Sequence, residues 1–153
     1  MESKRTIVRE AVVQDFEKTY PLFEKFKNPR LSKEDWRQLF VDHWQSNKGF
    51  FGYILESEEG IVGFLGLIFS RRSINGKEIK FCNITSWVVA EKFRSQSLSL
   101  FLPVLKLKDY TLTIHTASKE TYAVARKLGF QDLESHFRVI LPLPSVSTWL
   151  TLC

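Results

Sequence analysis

At 153 residues, 44% hydrophobic and 25% charged, with 7 Gly and 5 Pro, the chain has the length and composition of one globular domain over 1–153 and not of a disordered or collagen-like protein. Its longest apolar stretches, 61–69 and 97–105, fall far short of the roughly 18–20 residues a membrane span needs, and no charged-then-apolar leader opens it. The net charge of +5 invites an anionic partner, yet the 22 Lys and Arg lie scattered among 17 acids with no run longer than Arg71-Arg72, which argues against nucleic acid and leaves a phosphate-rich small molecule open.

Cys82 and Cys153 are the only cysteines, without the spacing of a zinc site or a disulfide framework, so no metal and a reducing, cytoplasmic setting are expected. The 13 Phe and 4 Trp predict a core built from large rings. Residues 6–11 alternate as a short first strand. Apolar residues at 16, 20, 23 and 26 then have helical spacing, with a kink or break expected at Pro21 and an end at Asn28-Pro29. Ser32, followed by Glu34 and Asp35, caps a second helix whose Trp36, Leu39, Phe40 and His43 share a face. His43 reads as packing plus one hydrogen bond before it reads as a base.

From Phe50 the period changes. Residues 51–57, 61–70 and 78–90 form three strands of an antiparallel meander, with a turn at Glu58-Glu59-Gly60 and a tight hairpin at Asn75-Gly76. Residues 95–108 are helical and kinked at Pro103, which deprives the Ser99 carbonyl of a donor. A strand at 110–115, a helix at 118–128 closed by Gly129, and a last strand at 137–141 complete the order β-α-α-β-β-β-α-β-α-β-β. The expected architecture is a mixed, mostly antiparallel sheet flanked by helices, an α/β fold.

The junction of the third meander strand with the next helix is where chemistry is expected. A strand runs into Arg94-Ser95-Gln96-Ser97-Leu98-Ser99, and a cation beside exposed amide groups at a helix start suits phosphate, although serine there also serves as a plain helix cap. This segment resembles the acetyl-CoA signature of the GNAT superfamily of N-acetyltransferases, (Gln/Arg)-x-x-Gly-x-(Gly/Ala). Ala125-Arg126-Lys127-Leu128-Gly129-Phe130 resembles the Tyr-x-Lys-x-Gly-Phe that closes the last helix of many members. With the element order, the resemblance covers roughly residues 5–141.

The resemblance implies that Val88 and Val89 sit at a splay in the sheet and pair with the pantetheine amides. It implies that Arg94 and the backbone of Ser95, Gln96, Ser97, Leu98 and Ser99 hold the pyrophosphate, and that Ser118 stands where an Asn meets the pantetheine arm. The reaction would be direct acyl transfer from acetyl-CoA or another acyl-CoA to an amine of a small molecule or sugar. Three departures mark an atypical branch. Ser97 and Ser99 replace the signature glycines, Ala125 replaces the acid tyrosine, and Asn83 falls where some members have a glutamate base. His115, at the end of the strand facing the cleft, and Tyr122, one turn before Ala125, are the candidates to replace the base and the acid, although His115 reads first as a hydrogen-bonded strand-end histidine and Tyr122 as core packing. Trp87 and Trp36 suit either a pocket wall or plain core, and Cys82 reads as a buried thiol. The rival reading is a module that binds CoA, or serves as an interaction domain, without catalysis. The apolar tail 145–153 suits a partner surface, a homodimer or a longer parent protein.

Overall fold

The computed structural model describes residues 5–133; the strand expected at 137–141 and the tail 145–153 lie outside them. The residues up to Thr116 form one compact unit, and a second begins at Ala117. Five strands in the first unit make one sheet: β1 (Thr6–Glu10), β2 (Gly52–Ser57), β3 (Gly60–Ile74), β4 (Lys77–Val89) and β5 (Thr111–Thr113). They lie side by side in sequence order. The first four are antiparallel and β5 runs parallel to β4, so the expected mixed sheet is present. Asn75 and Gly76 both take positive φ, 52° and 76°, as a type I′ hairpin requires.

One face of the sheet is covered by α1 (Phe16–Phe23) and α2 (Lys33–Arg37), each continued by a 3-10 turn, Glu24–Phe26 and Gln38–Phe40. Pro21 does not break α1. The helix runs two residues past it before tightening into the 3-10 turn that Lys27 ends at φ 47°. Ser32 caps α2 as its sequence predicts, accepting from the Asp35 amide at 3.2 Å while the Asp35 carboxylate accepts from the Ser32 amide at 2.7 Å. The helical stretch is shorter than its apolar spacing suggests, because Val41 turns extended. The rings pack as a cluster under this face: Phe23 stacks on Trp36 at 4.9 Å, Phe40 on Phe64 at 5.4 Å, and Phe16 meets Phe40 edge-on at 5.5 Å. Trp36 is thus core.

The helix expected at 95–108 takes another form. Glu91–Leu100 is a 3-10 helix, and only Phe101–Val104, α3, is α-helical. The α-helix starts late enough that Pro103 lies in its first turn, where no backbone N–H is needed, so there is no long helix for it to kink. Phe93, Leu100, Phe101 and Val104 are buried. Leu100 lies over Gly63, on the face of β3 opposite Phe64. The strand expected at 110–115 pairs only over Thr111–Thr113.

The second unit contributes α4 (Lys119–Lys127). Ser118 caps it, accepting from the Thr121 amide at 3.2 Å. Gly129, at φ 92°, closes it in a Schellman turn, with Phe130 N donating to Ala125 O at 3.0 Å and Gly129 N to Arg126 O at 3.2 Å. Among the described residues no helix is long and apolar enough to cross a membrane, and no cluster of His, Cys, Asp and Glu could hold a metal ion.

Candidate functional site

β4 and β5 pair only through Phe81, Cys82 and Asn83 with Thr111, Leu112 and Thr113. β4 then continues to Val89 while β5 ends, so the two strands part after the Asn83–Thr113 rung. Thr113 Oγ1 donates to Asn83 Oδ1 at 3.4 Å across that last rung. Beyond it the ladder with β3 slips. Gly66 faces Thr85 but Phe64 faces Val88, so β4 carries one extra residue, and Ser86 takes φ 49°. A β-bulge at this point turns β4 just where it leaves β5.

The bulge decides what each expected valine offers. Ala90 N donates to Val62 O at 2.7 Å. Hydrogen-bonded and non-bonded pairs alternate along an antiparallel ladder, so Val88 commits its backbone to Phe64 while the N–H and C=O of Val89 turn toward the edge that β5 vacates. Val88 serves through its side chain, which joins the ring cluster under α1. Trp87 lies on the bulge with its ring against Phe101 at 4.7 Å. Its buried indole Nε1 has no hydrogen-bond acceptor among the described residues, an exception among buried polar groups.

The left-handed backbone of Ser86 predicts a stability test. A non-glycine residue at positive φ costs about 1–2 kcal/mol, against about 0.5–1 kcal/mol for the extra unfolded-state freedom of glycine. Ser86→Gly is expected to gain about 0.5–1 kcal/mol and Ser86→Val to lose stability, both read from urea midpoints; a destabilised glycine variant would remove the bulge from the solution structure.

The Arg94 to Ser99 segment lies within the 3-10 helix instead of opening an α-helix. Its amides therefore turn back to carbonyls three residues earlier, as Phe93 N does to Ala90 O at 2.8 Å. Arg94 is exposed and pairs with Glu91 at 3.2 Å, a surface contact worth little. Ser99 Oγ donates to Gln96 O at 2.6 Å, and the Gln96 side chain meets the Thr6 hydroxyl of β1. Ser95 is exposed and Ser97 half-buried. His115 is exposed in the bend after β5. In the second unit, Ser118 spends its hydroxyl on the α4 cap, and Tyr122 donates to Asp132 Oδ2 at 3.1 Å. Cys82 is fully buried, and burial pushes its thiol up to about 12.

A cavity of about 80 Å³ lies between the 38–51 segment and the edge of β3 at Leu67, Ile68 and Phe69. Its one signal in the sequence is Asp42 followed by Ser46 and Asn47, which is easily read as an ordinary loop. The Asp42 carboxylate folds this loop, accepting from the Ser46 and Asn47 amides at 2.9 and 2.8 Å. Gln45, Asn47 and Gly49 all take positive φ around it. Burial alone would push the Asp42 carboxyl up, but the amides of Ser46, Asn47 and Trp44 and the Ser46 hydroxyl hold it below its ordinary range. His43 lines the cavity too, exposed and bonded to Gln38 O at 3.2 Å.

No family model and no curated protein matches this sequence. Solved structures do match it in shape. An acetyltransferase of Trypanosoma brucei superposes with a TM-score of 0.66 at 20% identity, covering 90% of this chain and 100% of that one. Glucosamine-6-phosphate N-acetyltransferase from Arabidopsis thaliana gives 0.64 at 15% identity, covering 90% and 99%. A predicted acetyltransferase from Clostridium acetobutylicum, solved with acetyl-CoA, gives 0.66 at 16% identity, covering 89% and 96%. What these proteins share with the chain is the fold: the mixed, helix-flanked sheet is that of the GNAT acetyltransferases.

Proposed function

We propose that this chain binds acetyl-CoA or a related acyl-CoA and transfers the acyl group directly to the amine of a small molecule or sugar. The observation that carries the reading is the parting of β4 from β5 at the bulge, with the backbone of Val89 turned into the gap. An extended arm bearing amides fits such an edge as an added strand would. The diphosphate falls to side chains, because the amides of residues 95–99 are turned onto their own helix. The Arg94 guanidinium is exposed, and a diphosphate replaces Glu91 as its partner. Hydroxyls of Ser95 and Ser97 add neutral donors.

Acyl-CoA supplies the acyl group as a thioester, which the amine's lone pair attacks with release of CoA as the thiol. The amine must first lose a proton, and His115 is assigned as the base that takes it. On the resemblance alone, Tyr122 is assigned as the acid and Ser118 as a contact of the arm. Ala125 and Asn83, in place of the family's usual acid and base, favour the second reading, a CoA-binding module without catalysis.

Thermal unfolding with acetyl-CoA, free CoA and ATP tests cofactor binding. At about a hundred times the dissociation constant a ligand adds about 2.7 kcal/mol, or about 5–10 °C for a chain this size. Both CoA forms are expected to raise the midpoint and ATP to leave it, with Ser97→Glu abolishing the shift through a negative charge beside the phosphates. No shift with either CoA form removes the reading. Turnover that survives both His115→Ala and Tyr122→Phe would remove the two named proton carriers, and a CoA shift without turnover of any amine would favour the module.

A further inference from the structure

The cavity at the β3 edge and the parting of β4 from β5 lie on one line across the sheet. Ile68, in the cavity wall, pairs with Asn83, and Asn83 pairs with Thr113, the last rung before the strands separate. Adjacent strands are about 4.8 Å apart. The cavity therefore begins about one strand spacing from Asn83 and about two from Thr113. A small molecule whose amine reaches the gap between β4 and β5 can place its other end in this cavity.

The lining defines that other end. Leu39, Trp44, Phe51, Ile68 and Phe69 supply apolar walls, and Asp42 supplies a carboxylate whose two oxygens are fixed by backbone amides. No lysine or arginine lines the cavity among the described residues. The nearby cation, Lys48, is held over the Phe69 and Tyr110 rings at 5.6 and 4.7 Å, so an acceptor with a phosphate or carboxylate at its far end would meet the like charge of Asp42, whereas a second ammonium would meet that carboxylate as an opposite charge at the rim of an apolar recess. At about 80 Å³, the recess is smaller than the ~150 Å³ apolar cavity that accepts benzene, so it takes a short chain or part of a ring.

We infer that the acceptor is a small diamine: a primary amine directed at the gap between β4 and β5, a short apolar body in the cavity, and a second cationic group beside Asp42. The inference rests on the acyl-transfer reading above and narrows its acceptor. It sets this chain apart from a sugar-phosphate acetyltransferase.

The test uses four amines on the full chain: 1,5-diaminopentane, pentylamine, 5-aminopentanoate and glucosamine 6-phosphate. Binding is read by calorimetry with free CoA present, and turnover by thiol release from acetyl-CoA. The diamine is expected to bind about tenfold tighter than 5-aminopentanoate, with pentylamine between them and glucosamine 6-phosphate weakest, as one added surface ion pair and one avoided repulsion predict. Asp42→Asn should bring the first three within about threefold. Asparagine keeps one acceptor for the loop, and should the variant fail to fold, raising salt to 0.5 M on the natural chain must compress the same order by screening. The aminopentanoate or the sugar phosphate binding as well as the diamine overturns the inference, and so does no binding by any of the four. The expected order of binding without thiol release keeps the diamine site and overturns the transfer reading instead.

Discussion

Phe64→Ala is expected to lose about 3–5 kcal/mol, roughly a fifth or more of the stability of an ordinary domain. Phe64 is fully buried on β3, edge-on to Phe23 at 5.2 Å and stacked on Phe40 at 5.4 Å. Three separate elements, α1, the 3-10 turn after α2, and the sheet, therefore meet on this one ring. They cannot all close on an alanine, because Phe23 and Phe40 are themselves held by Trp36 and Phe16. The cavity should stay largely open, which places the loss in the upper part of the range for aromatic truncation. Urea unfolding of both proteins checks it, with Leu98→Ala as the contrast: Leu98 is 50% exposed, and its loss should stay within about 0.5 kcal/mol. A Phe64→Ala cost below about 1.5 kcal/mol would mean that the ring cluster is not the packed core. The site has a stake in the result, since Phe64 pairs with Val88 beside the bulge that turns β4 out of the sheet.

The features legible in the sequence are those that one short segment decides alone. Asn75-Gly76 makes its hairpin because both residues tolerate left-handed backbone. Ser32 and Ser118 cap their helices because a hydroxyl two or three residues before a free amide needs nothing from elsewhere. Gly129 closes α4 for the same local reason. The bulge at Ser86 is of another kind. Serine has no preference for positive φ, and the extra residue arises from matching β4 to β3 across a long ladder, which no local pattern announces. The 3-10 form of Glu91–Leu100 is similar: the apolar spacing of the stretch suits a helix, and Phe93, Leu100, Phe101 and Val104 are buried. The kink expected at Pro103 does not form, because the α-helix starts late enough to place the proline in its first turn. The cavity at the β3 edge was hidden for a third reason. It is assembled from the 38–51 loop and the edge of β3, and a loop held by one carboxylate has no periodicity to read.

Asp15→Asn is expected to cost about 1–3 kcal/mol at neutral pH and almost nothing in acid. Arg9 on β1 donates to both oxygens of Asp15 at 2.8 Å and to Glu56 on β2 at 2.7 Å, while Asp15 also accepts from the Val12 amide at 2.9 Å. One guanidinium thus ties two strands to the start of α1. Hydrogen bonds from Arg9 hold the Asp15 carboxyl below its ordinary value against the opposing effect of burial. The same bonds raise Arg9 further above a range in which it is already charged at every working pH. The sign follows from the depressed carboxyl. Asp15 contributes stability that is fully present above its unfolded value of about 3.9 and is lost as pH falls through its lower folded value. Arg9 keeps 34% of its side chain exposed, so water screens part of the attraction and the cost belongs in the lower half of the range. Urea midpoints of the natural chain and the variant should be well separated at pH 7, draw together below about pH 4 and meet in stronger acid. Glu17, Asp35 and Asp42 are depressed too, and their protonation weakens both proteins alike, so it cancels in the difference. Curves that stay parallel down to about pH 2 would show that Asp15 acts through its shape and its bond to Val12, and that its charge beside Arg9 adds nothing to the hold of α1 on the sheet.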